Sequence, residues 1–383
     1  MAYLLIAVGV FWSMVALAAL GTVLAVRRLP QLSEMTLAGG ESQRVSVIMT
    51  ARDEEQHIES SIRSMLAQEK VVLQVVAVDD RSTDATGEIL QRVAREDDRV
   101  TVVHIEELPA GWLGKCHACY QGSEKATGDW LLFTDADTTL THTDVLARSV
   151  GALNRDAADH ISLWPKVSPD GPLACGAIFA WQACLSAYAP PILINNDIGK
   201  RALGIGAYNL VRASAYREIG GHERLRMEVV DDIKLAESLR HSGVRQRVYK
   251  GIDDLETSWG GSAREMVAVL EKNWFAAIGF RLWLAAAVVM ALTSAWIIAV
   301  TGPLWDTQYG WFALAGLLAI ILPSLADARA YRWPMYSALF APLGHVVFVW
   351  AAVNSVYKTL RQGGIRWRDT FYSLSELRDA KAR

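Results

Sequence analysis

Two runs without a charged residue, 3–26 and 283–305, constrain this chain most. A helix needs about 20 apolar residues to cross a hydrocarbon core, so both are long enough to span one. Two further apolar runs follow, 310–326, which is short, and 335–357, which contains Pro342, Gly344 and His345. These runs lift the hydrophobic share to 52% of 383 residues, whereas the stretch between Arg27 and Arg281 has the mixed charge of a soluble domain. A signal peptide carries its positive charge ahead of the apolar run. Here Arg27 and Arg28 come after it, so the first run is expected to be an uncleaved anchor. The positive-inside rule then puts the large domain in the cytoplasm. The expected organisation is an anchor over 1–28, a soluble domain over 29–281, membrane helices over 282–357 and a basic, aromatic tail over 358–383, in a multi-pass protein of the inner membrane. A net charge of -3 offers no basic face for nucleic acid. Four cysteines are too few for a disulfide framework in a chain of this length and suit a reducing compartment.

Inside the soluble stretch, strand and helix patterns alternate. Residues 45–49 read as a buried strand, followed by a helix pattern with Ile58, Ile62, Met65 and Leu66 on one face. A second strand over 71–78 ends at Asp79-Asp80, and a helix is expected over about 84–95. A third strand covers 100–105. A loop with Pro109, Gly111 and Gly114 then leads into a helix near 115–126, and a fourth strand over 130–133 ends at Asp135. Such alternation predicts a parallel sheet with helices on both faces. Ligands of such sheets lie beyond the carboxyl ends of the strands, so Asp79-Asp80 and Asp135-Ala136-Asp137 are expected to face one crevice. Neither GxGxxG nor a Walker sequence is present, which removes a dinucleotide or P-loop reading.

Two carboxylates two residues apart at a strand end can share a hard divalent cation with a nucleotide diphosphate. Asp135 and Asp137 fit that description, and they equally fit a turn or a helix cap. The segment from Asp79 to Asp84 has the same two readings. Asp231-Asp232 precedes a helix pattern with Leu235, Ala236 and Leu239. Asp232 there is either a first-turn charge favoured by the helix dipole or a general base held beside an attacking hydroxyl.

Together these segments resemble glycosyltransferase family 2 over residues 45–243. Val45 to Glu55 is similar to the family's opening strand and turn, and Val78-Asp79-Asp80-Arg81-Ser82-Thr83-Asp84 to its nucleotide-binding VDDxSTD. Asp135-Ala136-Asp137 is similar to its metal-binding DAD, and Gly220-Gly221 followed by Asp231-Asp232 to its GGxxxxxxxED region. Four such segments in order are far more specific than any one. Leu108-Pro109-Ala110-Gly111-Trp112-Leu113-Gly114-Lys115 and the stretch from Gly204 to Arg212 resemble the membrane-bound branch of hopene-associated and carotenoid-acid glycosyltransferases, as does Lys272-Asn273.

The resemblance implies a GT-A fold, a Rossmann-like mixed sheet with helices on both faces, accompanied here by transmembrane helices. It also implies a metal-dependent, inverting transfer of one sugar from a nucleotide-sugar, a UDP-sugar first among them, to a lipid-like acceptor at the membrane. Asp232 would be the base, and Asp135 and Asp137 would hold Mg²⁺ or Mn²⁺ against the diphosphate. Asp79 and Asp80 would hold base and ribose, and Lys115 would meet the donor phosphates. Asp231 stands where the family has Glu. The QxxRW of processive synthases is missing from its usual place, which argues against polymer synthesis. Gln362-Gly363-Gly364-Ile365-Arg366-Trp367 resembles it with one residue too many, which makes Arg366 and Trp367 candidate acceptor-side or tail contacts.

Two readings from other classes stay open at this level. One is a nucleotide-binding membrane scaffold without turnover. The other is a sugar-1-phosphate nucleotidyltransferase, which would want a glycine-rich basic loop where this chain has Arg52-Asp53-Glu54-Glu55. Cys116 and Cys119 form a CxxC without a second pair and read as packing residues, and His222 reads as structural. Residues 173–194 carry no charge, and Pro190-Pro191 would break a spanning helix there. That segment reads as a core helix or as an interfacial one that delivers the lipid.

Overall fold

The structure is a computed structural model that describes residues 29–35, 37, 43–304 and 311–382. The anchor expected over 1–28 lies outside the described residues. The chain divides into two compact units. One joins Leu29–Lys166 to Pro191–Ser258, and the other joins Val167–Pro190 to Trp259–Arg383.

The first unit is built on an eight-stranded mixed sheet: β1 (Arg44–Ala51), β2 (Val72–Asp80), β3 (Val100–Ile105), β4 (Trp130–Asp135), β5 (Thr138–Leu140), β6 (His160–Val167), β7 (Asn209–Arg212) and β8 (Gln246–Thr257). Its order is β3-β2-β1-β4-β7-β6-β8-β5. β1 pairs in parallel with β2 and β4, and β2 with β3; β7 runs antiparallel to β4 and to β6. The four parallel strands are the four expected from sequence.

Both faces of this half are covered, which is why its strands read as unbroken apolar runs. Val45, Val47 and Met49 of β1 pack with Ile58, Ile62 and Met65 of the Ile58–Leu66 helix and with Leu90 and Val93 of the Thr86–Glu96 helix. Ile48, Leu131 and Phe133 point the other way, toward Cys119 of the Gly114–Lys125 helix and Leu235 and Leu239 of the Asp231–His241 helix. Gly122 is required there, because a Cβ on it would come 2.6 Å from the Ile48 side chain.

The second unit is helical: Pro172–Tyr188, Ala263–Ala277, Leu282–Thr301, Trp311–Ala330 and Ala341–Gln362, then a hairpin of β9 (Gly364–Trp367) and β10 (Thr370–Ser373) and a last helix, Leu374–Ala382. Among the described residues, Pro172–Asn195, Leu282–Thr301 and Met335–Gln362 are long and apolar enough to cross a membrane. The first is broken after Tyr188, as Pro190-Pro191 predicts; its part up to Pro190 groups with the C-terminal helices, and Pro191–Asn195 falls in the sheet unit. Pro342 lies in the first turn of Ala341–Gln362, where its missing N–H costs nothing, and that helix runs on unbroken. Gly344 serves packing, since a Cβ there would fall 1.9 Å from the carbonyl carbon of Gly176. Small residues at such crossings let helix backbones meet.

Candidate functional site

The carboxyl ends of β1, β2 and β4 carry the acidic groups. Asp79 and Asp80 end β2 and are both buried. The Asp79 carboxylate accepts from the backbone N–H of Ser82 at 3.2 Å and lies 3.0 Å from Nδ1 of His104. Asp80 takes both arms of Arg81, at 2.8 and 3.1 Å. Arg81 adopts the left-handed conformation, φ 59°. Gly114 leaves room for this pair, because a Cβ there would meet Oδ2 of Asp80 at 2.5 Å. The turn after β1 is laced to the same loop: Asp53 Oδ1 accepts from the Thr83 N–H at 2.8 Å, and the N–H of Glu54 donates to Thr86 Oγ1 at 2.8 Å. The acidic turn Asp53-Glu54-Glu55 therefore shapes the loop beyond β2.

Asp135 ends β4, and its Oδ1 takes the Lys115 ammonium at 2.7 Å. Lys115 also lies 3.8 Å from Oδ1 of Asp231. Burial works to depress its pKa, but Asp135, Asp231 and Asp232 outweigh it and hold the ammonium well above its ordinary range. Lys115 is thus a fixed positive charge between the end of β4 and the start of the Asp231–His241 helix. Asp137 receives hydrogen bonds from Thr257 Oγ1 at 3.1 Å and Ser258 Oγ at 2.9 Å. Burial first and then the Asp135 charge raise its pKa. Nothing local in the sequence flags Thr257 and Ser258. They arrive through the pairing of β5 with β8, where Thr138 opposes Thr257.

The segment Gly204-Ile205-Gly206 passes between these groups. A Cβ on Gly206 would lie 2.4 Å from Oδ2 of Asp135, and one on Gly204 only 1.8 Å from the carbonyl oxygen of Asp232. The Gly206 carbonyl accepts from the Asp135 N–H at 3.1 Å. Two glycines therefore bring the strand end and the helix start together.

Asp231 is buried, facing Lys115 and His222, whose Nε2 is 3.7 Å away. Asp232 is half-buried, and its Oδ1 accepts from the Ile233 N–H at 2.8 Å. Burial and then the neighbouring Asp231 charge push Asp232 up to about 7. A carboxyl tuned toward neutral pH is suited to proton transfer. Cys116 and Cys119 are buried, and burial raises both thiols well above their ordinary range, so neither is a ready nucleophile. Asp79, Asp80, Lys115, Asp135, Asp137, Asp231 and Asp232 all fall in the sheet unit. Arg366 and Trp367 belong to the helical unit, where Lys272 Nζ lies 3.4 Å from the centre of the Trp367 ring.

The donors suit a hard divalent cation. Asp135 and Asp137 offer carboxylate oxygens two residues apart, and a half-buried carboxyl pushed toward its neutral form by burial and then by a like charge is relieved by a cation.

Residues 46–220 match the sequence family described as Glycosyl transferase family 2. Over 344 residues, 87% of this chain and 89% of the relative, the chain is 23% identical to the 4,4'-diaponeurosporenoate glycosyltransferase of Staphylococcus aureus strain bovine RF122 / ET3-1. The relative of the same name from strain USA300 matches with the same identity and coverage. Among solved structures, the chain is similar to the mannosyltransferase PcManGT from Pyrobaculum calidifontis, solved in complex with GDP-Man and Mn2+, with TM-score 0.52, 18% identity and coverage of 94% of this chain and 99% of that one. That likeness is one of fold, and the fold is GT-A.

Proposed function

Starting from a chain that carries a glycosyltransferase family 2 domain in a GT-A fold, we propose that it moves one sugar, with inversion, from a nucleotide-sugar to the hydroxyl of a lipid-like acceptor at the cytoplasmic face of a membrane. The observation that carries this reading is Asp232, a half-buried carboxyl pushed up to about 7 at the start of a helix, across Lys115 from the carboxylate that ends β4.

Asp79 and Asp80, fixed by His104 and Arg81, would line the nucleoside end of the donor. Asp135 and Asp137 would hold Mg²⁺ or Mn²⁺ at the diphosphate. Such an ion, when bound, neutralises charge on the departing phosphate. Lys115 adds a second, permanent positive charge there and acts as a point charge. Asp232 takes the proton of the acceptor hydroxyl as its oxygen attacks the anomeric carbon from the face opposite the nucleotide. Asp231 keeps Lys115 in register from behind.

The lipid-like acceptor is supported by the three apolar helices and by the relative named for a carotenoid acid. A UDP-sugar is the first donor to test, with GDP-mannose second because the solved relative holds it. The test is transfer by the full-length purified protein from labelled donor to membrane lipid extract. Product is expected with Mg²⁺ or Mn²⁺, none in excess EDTA, and almost none from Asp137→Ala. Full turnover in EDTA would remove the metal from this reading.

A further inference from the structure

Behind Lys115, three side chains of different chemistry converge. Cys119, His222 and Asp231 are all buried, and one ligand atom from each lies within 4.8 Å of the other two. They come from three elements, the Gly114–Lys125, Gly221–Arg224 and Asp231–His241 helices, so no short motif announces them. We propose that this cluster is a second metal site, selective for a thiophilic divalent cation of the zinc class and separate from the oxygen-only pair Asp135 and Asp137.

The donor set carries the selectivity. Sulfur, imidazole nitrogen and one carboxylate oxygen suit zinc, whereas Mg²⁺ takes oxygen ligands. One ligand separation is already close to what zinc needs, and the others fall within 4.8 Å. Bonds of about 2.3 Å to sulfur and about 2 Å to nitrogen or oxygen set neighbouring ligands roughly 3.5 Å apart. Nε2 of His222 and Oδ2 of Asp231 are 3.7 Å apart. The imidazole is already oriented: its Nδ1 is 2.9 Å from the Tyr216 hydroxyl, which also accepts the His222 N–H at 2.9 Å. A partner on the second ring nitrogen is what fixes a metal-binding histidine. The ring of Phe133, with its centroid 4.7 Å from that of His222, walls the site with apolar surface. Three protein ligands leave a fourth position for water, the arrangement of an exchangeable site. On coordination the Cys119 thiol gives up its proton to solvent and the sulfur–metal bond forms. Asp231 then serves the ion and no longer Lys115. A loss of turnover on zinc loading follows from that exchange and rests on the role given to Lys115 above, whereas binding does not.

Titration of the full-length protein in detergent with Co²⁺, followed by displacement with Zn²⁺, tests the site. We expect one equivalent of Co²⁺ to produce a thiolate-to-cobalt charge-transfer band that Zn²⁺ abolishes. The band should be lost in Cys119→Ser and in His222→Gln and kept in Cys184→Ser. Zn²⁺ should raise the Tm of the parent and leave that of Cys119→Ser unchanged. Absence of the band in the parent, or its survival in Cys119→Ser, overturns the proposal. Neither outcome depends on whether the protein transfers sugar.

Discussion

In the proposed reaction, Lys115 and Asp232 divide the chemistry between a charge that does not titrate and one that does. Three carboxylates keep Lys115 protonated throughout the neutral range. Asp232 serves as a base only without its proton, and its carboxyl is held up to about 7. Turnover should therefore climb as pH rises toward about 7 and level off above it. The apparent midpoint belongs to the Asp231–Asp232 pair, because the two share one field. A profile that stays flat from about pH 5 to about pH 9 would show that no group of this kind limits the rate. Asp232→Asn keeps the shape and removes the base. It should lower kcat by about 10²- to 10⁴-fold while donor affinity, read by calorimetry, stays near that of the parent. A loss confined to Asp231→Asn would move the base by one position. Retained turnover in Asp232→Asn would point to an acceptor that arrives ionised, such as a carboxylic acid, and needs no base.

At the scale of elements, the site depends on how closely three backbone segments approach. Gly204→Ala would drive a methyl group to 1.8 Å from the Asp232 carbonyl, a backbone atom that cannot swing aside. Overpacking of this kind costs about 1–3 kcal/mol. We expect a lower Tm together with near-complete loss of transfer, while an alanine at Gly111, where no atom lies within 4 Å, should meet no neighbour and cost only the strain of its φ of 80°. A milder lesion is Ser258→Ala, which removes one of the two donors to Asp137. It should raise the metal concentration needed for half-maximal rate and leave the folded state intact by circular dichroism. The parallel half of the sheet was legible because β1, β2 and β4 are buried on both faces and β2 and β4 end at the acidic pairs. The antiparallel half was not. β5 and β7 are three and four residues long, too short for a periodic signal, and β5 finds its partner over a hundred residues away, as in Thr138 to Thr257. For the same reason Asp135 and Asp137 could be read from their strand end, but Thr257 and Ser258 could not. The residues 173–194 had two readings because composition cannot say which neighbours cover an apolar helix. The contacts of Gly176 with Phe340 and Gly344 group its part up to Pro190 with the C-terminal helices.

For the whole molecule, the side of the membrane on which the chain finishes is the sharpest question. Counting three crossings after residue 281 sends the tail outside. Its basic residues Lys358, Arg361, Arg366, Arg368, Arg378 and Lys381 belong inside by the positive-inside rule. Contacts within the helical unit favour the inside. Arg378 donates to the carbonyl of Phe280 at 3.1 Å, just ahead of the Leu282–Thr301 span. Lys272 covers the Trp367 ring, and Lys358 pairs with Glu271 at 2.6 Å. Charged groups in such pairs stay out of a hydrocarbon core, and partners this close cannot be on opposite sides of about 30 Å of it. We therefore expect the tail on the side where Leu282–Thr301 begins. On that expectation the segments after residue 281 cross an even number of times. Leu282–Thr301 and Ala341–Gln362 run antiparallel, since Trp296, late in the first, donates to the carbonyl of Pro342, early in the second, at 2.8 Å. A cysteine reports the side. Ser373 is unsuitable, because its hydroxyl and N–H close a capping box with Glu376, so the exposed neighbour is used as Ser375→Cys. In intact cells an impermeant maleimide should leave Ser375→Cys no more labelled than the parent, and after lysis the labelling should rise. Labelling in intact cells would put the tail outside, contradict the pairing of Arg378 with Phe280, and remove Arg366 and Trp367 from any part in a cytoplasmic active site.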